Sequence, residues 1–166
     1  MATETVVENA TKAKPGKYLT FVLGEEFYGI PVLKVREIIR LVPITLVPQM
    51  PSFVKGVINL RGKIIPVVDL RLRFELPDIK DTERTCIVVV QVAMGGNAKA
   101  AMGLIVDAVE EVTNITAGEI EDTPDFGTKL STEYLMGMAK VKGKVKALLD
   151  IDCVIAADAL AKLAQV

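Results

Sequence analysis

The sequence contains three acidic clusters that could support acid–base catalysis or bind a cation: Glu25-Glu26, Glu110-Glu111 and Glu119-Glu121-Asp122. The first pair lies in the turn GEEF, where two solvated carboxylates are the simpler interpretation. The second pair is adjacent in a predicted strand, so its side chains point to opposite faces and cannot share one substrate. The third cluster lacks the Asp-x-Asp-x-Asp-Gly pattern of a calcium loop. These spacings do not favour an acid–base or metal site.

Histidine is absent, which removes the commonest general base and the commonest metal ligand. The glycine-rich nucleotide-binding patterns are also absent. With 20 Lys and Arg against 21 Asp and Glu, and no tryptophan, the chain lacks the basic surface and the stacking platform of a nucleic-acid binder. These absences make an enzyme less favoured, and we expect no cofactor, metal or nucleic-acid partner. Catalysis by carboxylates or lysine stays open at this point, and a small carboxylate-dependent enzyme or ligand-binding barrel is the out-of-class alternative.

The high apolar content, 51% with a mean hydropathy of +0.39, raises the question of a membrane segment. The stretch CIVVVQVAMGGNA is too short to span a bilayer and is interrupted by glycines. Residues 1–17 lack the apolar core of a secretion signal and are predicted to be a flexible tail. Cys86 and Cys153, both in apolar contexts, are expected to be free thiols. We expect a cytoplasmic protein without direct membrane insertion.

One polar segment interrupts two strongly apolar strands. In VINLRGKIIPVVDL, residues 57–70, the segment Asn59-Leu60-Arg61-Gly62 separates two apolar, β-branched runs. Gly62 suits the positive φ of a hairpin turn, whereas an arginine at such a tip is usually just solvated. Glu37 alternates with Val35 and Ile38 in another predicted strand. Apolar residues edged by Arg61 and Glu37, in a groove between two half-barrels, would suit a partner helix.

Short β-branched segments separated by Gly, Pro and charged turns predict a mainly β fold. The segments are YLTFVLG, EFYGIPV, KVREIIR, PITLV, GVINL, KIIPVVDL, TCIVVVQV, KAAMGLIV, AVEEVTNI, YLMGMAKV and KVKALLDI. Only the final segment, residues 151–164, has the apolar spacing of a helix.

The sequence also contains an internal repeat. YGIPVLKVREI (28–38) aligns without gaps on MGLIVDAVEEV (102–112), and VKGVINLRGKIIPVVDL (54–70) aligns on LMGMAKVKGKVKALLDI (135–151). The matched Gly62 and Gly143 predict tight turns, and the matched Asp69 and Asp150 predict helix N-caps. Gly29 and its match Gly103 predict a close backbone approach, and Pro66 predicts an edge or bulged strand.

The repeat predicts two half-domains that share a core, because each is small for a domain that folds stably alone. We place the first at about residues 18–76, the second at about 84–150 and the C-terminal helix at about 151–164. The polar segment FELPDIKDTERT connects the halves.

Four of these stretches resemble the CheW family of bacterial chemotaxis coupling proteins: YGIPVLKVREII, FVKGVINLRGKIIPVVDLR, GLIVDAVEEV and LSTEYLMGMA with the final hairpin. The likeness extends from Tyr18 to the C-terminal helix, and the Asn59–Gly62 segment in its frame is specific. The resemblance implies a single CheW-like domain over residues 18–166, built as two intertwined five-stranded β-barrels of Src homology 3-like type with a C-terminal α-helix.

The resemblance also implies a non-catalytic adaptor. It would couple the cytoplasmic tip of methyl-accepting chemoreceptors to the C-terminal regulatory domain of the histidine kinase CheA in membrane-associated arrays. The receptor would dock at the junction of the barrels, on Val35, Glu37, Gly56, Asn59, Arg61 and, across the groove, Gly103. The exposed apolar residues Ile39 and Leu41 would contact the kinase. A coupler of the same family in a non-flagellar chemosensory pathway is the alternative.

Overall fold

The computed structural model describes residues 13–93, 99–121 and 134–155. Within these ranges strands dominate, as the alternating apolar runs predict. The strands are β1 Gly16–Leu23, β2 Glu26–Pro31, β3 Val35–Arg40, β4 Val54–Leu60, β5 Lys63–Asp69, β6 Cys86–Ala93, β7 Lys99–Val106, β8 Ala108–Ile115, β9 Ile120–Glu121, β10 Leu135–Val141 and β11 Lys144–Leu149. Two single-turn helices, α1 Leu70–Arg73 and α2 Ile151–Val154, follow β5 and β11.

The strands form two sheets. The six-stranded sheet has the order β8-β1-β2-β11-β10-β9, and the five-stranded sheet has the order β3-β6-β7-β5-β4. Each sheet therefore takes strands from both halves of the sequence, since β1 and β2 join the later strands while β6 and β7 join the earlier ones. The mainly β, intertwined, duplicated fold is confirmed. The ranges 18–76 and 84–150 do not each form one sheet, because the halves exchange these hairpins.

The duplication is visible in the hydrogen-bonded register. Residues Glu37, Val89, Gly103, Val67 and Gly56 are successive partners across the five-stranded sheet. The corresponding row of the six-stranded sheet is Glu111, Thr20, Gly29, Leu148 and Gly137. Each sheet also carries register shifts at matched positions, beside Glu37 and Gly56 and beside Glu111 and Gly137. The two sheets are structural copies.

Three apolar clusters form the core. The largest lies between the sheets and includes Phe21, Leu70, Leu104 and Ile151. A second cluster belongs to the six-stranded sheet and is centred on Tyr18, Ile115, Ala139, Val141 and Leu148. A third belongs to the five-stranded sheet and comprises Ile58, Ile65, Val67, Ile87, Val89 and Ile105. The first cluster draws residues from both halves of the sequence, in keeping with the prediction that they share a core.

The predicted turns and caps are confirmed. Arg61 and Gly62 have φ of 51° and 87°, and Lys142 and Gly143 have φ of 53° and 79°, so both hairpins use two-residue turns with positive φ. The Asp69 carboxylate accepts a hydrogen bond from the backbone N–H of Arg71 at 2.9 Å. Asp150 accepts one from the N–H of Asp152 at 3.1 Å in the same way.

Gly29, Gly103 and Pro66 all lie inside strands. A Cβ on Gly29 would lie 3.2 Å from Leu148 Cδ2, and one on Gly103 would lie 2.8 Å from Ile87 Cγ2, so side-chain methyl groups, and not backbone atoms, make the closest approach to both glycines. β5 is an interior strand, but its pairing with β7 begins at Val67. Pro66 is therefore tolerated because its missing N–H falls just outside that ladder.

Two sequence predictions differ from the structure, and a third lies largely outside the described residues. PITLV forms one isolated bridge, Thr45 to Val57, and not a strand, because two prolines interrupt a segment with no continuous partner. The predicted tail is too long, since β1 begins at Gly16 and Ala13 is buried with its N–H bonded to the Met136 carbonyl. The predicted C-terminal helix starts as α2, but residues 156–164 lie outside the described ranges.

A buried arginine fastens the connection between the halves. The Arg71 side chain is 3% exposed and donates to both carboxylate oxygens of Asp69, at 3.0 and 2.9 Å. It also donates to Asp81, Asp107 and the carbonyl of Lys80 at 2.8–3.2 Å. Burial alone would lower the pKa of Arg71, but these acceptors raise it, so the guanidinium stays charged.

Candidate functional site

The structure brings Arg61 and Glu37 into direct contact. The Arg61 guanidinium donates to the Glu37 carboxylate, joining the β4–β5 turn to β3. These strands stand at opposite ends of the sheet order, so the five-stranded sheet curls until its two ends approach. The Arg61 side chain is 69% exposed and that of Glu37 is 30% exposed. The pair is therefore available to a partner.

Beside this pair lies a shallow cavity of about 290 Å³, which we name the Arg61 groove. Its lining combines a charged rim with an apolar floor and consists of Arg36, Glu37, Leu60, Arg61, Lys63, Ile65, Val89 and Ala101. All of these residues belong to the five-stranded sheet or its turn. The groove thus lies within one sheet, whereas the sequence predicted a groove between the two half-barrels.

Asn59 shapes the turn that carries Arg61. Its side-chain oxygen accepts a hydrogen bond from the backbone N–H of Gly62 at 2.8 Å. Asn59 therefore has a structural role in this hairpin, although the matched Lys140 shows that the fold can form the same turn without it. Its part in partner binding stays a prediction; in this geometry it also holds the turn that presents Arg61.

Gly56 is required by the neighbouring backbone, and Gly103 by a neighbouring side chain, that of Ile87. A Cβ on Gly56, whose φ is 146°, would lie 2.0 Å from the Thr45 carbonyl oxygen. Gly103 is buried in the middle of the sheet, in the cross-strand row that also contains Glu37 and Gly56. It does not lie across a groove from them. Both glycines support the site by letting neighbouring backbone and side chains pack closely.

Val35 is separated from Glu37 by a β-bulge. The register of β3 against β6 shifts between them, so Val35 pairs with Val90 while Glu37 pairs with Val89. Val90 belongs to the core between the sheets, and Val35 packs against that core. Simple alternation would have placed Val35 and Glu37 on one face. The extra residue, Arg36, sends them to different faces.

Ile39 and Leu41 are not the exposed residues that were predicted. Both are half-buried against the core of the five-stranded sheet, and both line a cavity of about 430 Å³ with residues 82–86. The outward positions are Ile38 and Val42, which are 46% and 37% exposed. Ile38 and Val42 are apolar on one face of this stretch, and Ile39 and Leu41 are apolar on the other. The apolar pattern therefore could not show which pair points outward.

Comparisons with known proteins show the family and the fold of this chain. A CheW-like domain family matches residues 17–159. The chemotaxis protein CheW of Klebsiella aerogenes is 35% identical over 157 residues, covering 95% of this chain and 92% of that protein. The crystal structure of the scaffolding protein TtCheW from Thermoanaerobacter tengcongensis superposes with a TM-score of 0.77 at 36% identity, covering 88% and 96% of the two chains.

The chain belongs to the CheW family. Protein FrzA of Myxococcus xanthus is also similar, with 28% identity over 140 residues that cover 84% of each protein. CheW proteins are non-catalytic scaffold proteins of chemotaxis, and the predicted family, adaptor class and absence of enzymatic function are therefore confirmed. No helix in the described ranges is long and apolar enough to cross a membrane.

Several residues of the acidic clusters of this CheW family member have local partners. Glu110 accepts hydrogen bonds from Lys146 Nζ at 2.7 Å and Thr20 Oγ1 at 2.9 Å. Glu119 accepts from the backbone N–H of Thr116 at 2.9 Å. Glu121 forms an exposed ion pair with Lys140 at 3.3 Å, and Asp122 lies outside the described residues. Residues 13–93, 99–121 and 134–155 contain no group of His, Cys, Asp and Glu that could hold a metal ion.

The electrostatics of the CheW site follow from these contacts. The hydrogen bond from Arg61 lowers the pKa of Glu37, and the same bond raises the pKa of Arg61, so both remain charged near neutral pH. Burial alone would raise the pKa of Glu110, but Lys146 and Thr20 outweigh it and the net pKa is lowered. The rim of the Arg61 groove thus presents three basic groups and one carboxylate that is already paired.

Sequence reasoning missed the groove floor, Ile65, Val89 and Ala101, and the buried Lys146. A signal for Lys146 was present in the sequence. In the alignment of the two repeats, Lys146 occupies the position of the apolar residue Ile65. A charge at an inward-facing position predicts a buried partner, and Glu110 is that partner. The floor residues carried no comparable signal, since small and β-branched residues fill most strands of this chain.

Proposed function

We propose that the chain couples chemoreceptors to the histidine kinase CheA in membrane-associated arrays, and that the receptor's helical cytoplasmic tip docks on the Arg61 groove. The observation that carries this proposal is the exposed Arg61–Glu37 pair beside an apolar cavity of about 290 Å³. A shallow apolar floor with a polar rim is the arrangement that receives a single anchoring side chain from a helix.

The groove defines the chemistry of the helix it would receive. Val89, Ala101 and Ile65 form a floor that would contact one apolar side chain. Arg36, Arg61 and Lys63 give the rim an excess of positive charge over Glu37, so acidic residues flanking the apolar anchor would complement it. The site would therefore favour an amphipathic helix with an apolar residue and nearby carboxylates on one face.

The kinase would bind a different part of the same sheet. Ile38 and Val42 are exposed apolar residues on and just after β3, the strand at one end of the five-stranded sheet. The cavity of about 430 Å³ lined by Ile39, Leu41 and residues 82–86 adjoins them. We place the contact with the regulatory domain of the kinase here, so Ile39 and Leu41 contribute from the cavity and Ile38 from the surface.

Coupling requires that the two contacts influence each other. A receptor conformation that binds the Arg61 groove more tightly when the kinase is active shifts the kinase equilibrium toward that state. By linkage, the active kinase then strengthens receptor binding by the same factor. Both proposed contacts include residues of β3, which gives them a shared rigid element.

Reconstitution with CheA and receptor-bearing membranes tests this function. The two hairpin turns provide a matched pair of variants, Arg61→Ala and Lys142→Ala, because both residues are exposed and have φ near 50°. We expect Arg61→Ala to reduce co-sedimentation with receptor membranes and receptor-dependent kinase autophosphorylation at least tenfold. Lys142→Ala should behave like the unmodified protein, and both variants should retain kinase binding.

Three outcomes would count against the proposal. If the unmodified protein neither co-sediments with receptor membranes nor changes kinase activity, the coupling function is wrong. If both turn variants lose receptor binding equally, the groove is not the docking site. If Arg61→Ala unfolds the protein, as circular dichroism would show, the role of Arg61 is structural.

A further inference from the structure

The duplicated fold contains a second copy of every position in the Arg61 groove. Superposing the repeats through their register pairs Arg36, Glu37, Arg61 and Lys63 with Glu110, Glu111, Lys142 and Lys144. The floor residues Ile65, Val89 and Ala101 correspond to Lys146, Thr20 and Phe27. The Arg61–Glu37 ion pair also has a counterpart, since Lys142 Nζ lies 3.9 Å from Glu111 Oε1. The six-stranded sheet therefore has the framework of a second groove.

The contents of the two frameworks differ. In the six-stranded sheet, Lys146 is 3% exposed and forms a 2.7 Å ion pair with Glu110. Thr20, which is fully buried, donates to the same Glu110 oxygen at 2.9 Å. The ring of Phe27 fills the place of Ala101, with Lys144 Nζ 4.5 Å and Lys146 Nζ 5.7 Å from its centroid. These side chains contact one another where the first groove is open and apolar.

The equivalent row of strands in the other sheet forms without such a polar set. The five-stranded sheet builds the same row of strands with Ile65 and Val89 at the positions of Lys146 and Thr20. Burying a lysine–glutamate pair instead of apolar residues is often neutral or unfavourable for stability. The position of this pair, at the equivalent of the Arg61 groove, is the observation from which we argue a role other than stability.

We propose that Lys146, Glu110, Thr20 and Phe27 close the second groove, so that each chain docks one receptor helix through the five-stranded sheet only. This inference rests on the proposed receptor-docking function. A duplicated protein with two open grooves would bind two helices in two orientations, and an assembly built from it would lack a fixed geometry. Closing one copy makes the adaptor univalent toward the receptor.

The unmodified chain can be tested directly with a soluble helical-hairpin fragment of a chemoreceptor's cytoplasmic tip. Titration calorimetry should give one fragment site per chain. Thr20 and Val141, the repeat equivalents of Val89 and Leu60, are the methyl probes of the second copy. Methyl NMR should show chemical-shift changes at Val89 and Ala101 and none of comparable size at Thr20 and Val141. Two sites per chain, or equal shifts in both sets, would overturn the inference. Absence of any binding would instead overturn the proposed function.

A substitution experiment opens the second groove by giving it the residues of the first. The variant carries Thr20→Val, Phe27→Ala, Glu110→Arg and Lys146→Ile, and it should bind two fragments with new shifts at Val141. A folded variant that still binds one fragment would contradict the proposal. Should this variant not fold, the reverse change decides the question: Ala101→Phe, which mimics Phe27, should reduce affinity for the fragment at least tenfold, and unchanged affinity would overturn the proposal.

Discussion

Replacing Arg71 with alanine removes the buried cation that joins α1 to the connection between the halves. Asp69 is 1% exposed, so without Arg71 its carboxylate would keep only local hydrogen bonding from the backbone. Breaking a buried ion pair from one side typically costs about 3–5 kcal/mol. The side chains of Asp81 and Asp107 are 59% and 28% exposed, so losing their contacts adds at most about 1 kcal/mol each. We expect a loss of stability dominated by Asp69.

Urea denaturation followed by far-UV circular dichroism measures this loss. The unfolding free energy of Arg71→Ala should fall by about 3–5 kcal/mol with little change in the denaturant slope. At this chain length that loss lowers Tm by at least about 6 °C. Asp81→Ala, the matched control on the exposed side of the cluster, should cost about 1 kcal/mol or less. If Arg71→Ala cost no more than Asp81→Ala, the buried pair would not be what stabilises this junction.

Three further substitutions test other parts of the structure. Gly56→Ala places a Cβ against the Thr45 carbonyl and should lower the unfolding free energy by more than about 2 kcal/mol, whereas Gly118→Ala, in open space, should change it by less than about 0.5 kcal/mol in the same denaturation assay. Asn59→Ala removes the turn hydrogen bond and should cost about 0.5–1.5 kcal/mol, and a cost no larger than that of Lys140→Ala would contradict the role of that bond. The lowered pKa of Glu110 means that its ion pair contributes stability above about pH 4.5 and loses it as the pH falls further. Thermal melts from pH 6 to about pH 3 should therefore show a smaller acid-dependent loss in Glu110→Gln than in the unmodified chain, and equal losses would rule out this contribution.

Local features of the fold were predictable because each depends on a few adjacent residues. Gly62 and Gly143 marked the two turns, and Asp69 and Asp150 marked the two helix starts. The internal alignment also gave the duplication. Strand partners were not predictable, since the apolar pattern of β1 and β6 fits either sheet equally well. The exchange of hairpins between the halves depends on long-range pairing that local patterns do not encode.

The candidate site was predictable in its charged residues and not in its surroundings. Arg61 stood out because the matched turn of the repeat has a different sequence, whereas Glu37 was singled out by the family resemblance and its predicted place beside Arg61. The bulge at Arg36 places Val35 on the opposite face of the sheet from Glu37. No glycine, proline or other turn residue in the sequence marks this bulge. The inward direction of Ile39 was equally hidden, because its neighbour Ile38 is just as apolar.

Site-specific photo-crosslinking tests the central claim most directly. Lys63 lies on the rim of the Arg61 groove, and Lys144 is its exposed equivalent in the closed copy. A photoreactive amino acid replaces each lysine in turn, and each variant is assembled with CheA and receptor-bearing membranes before irradiation. The docking account predicts a crosslink to the receptor's cytoplasmic tip from position 63 and none above background from position 144. Crosslinking from position 144 alone, or equally from both positions, would contradict it.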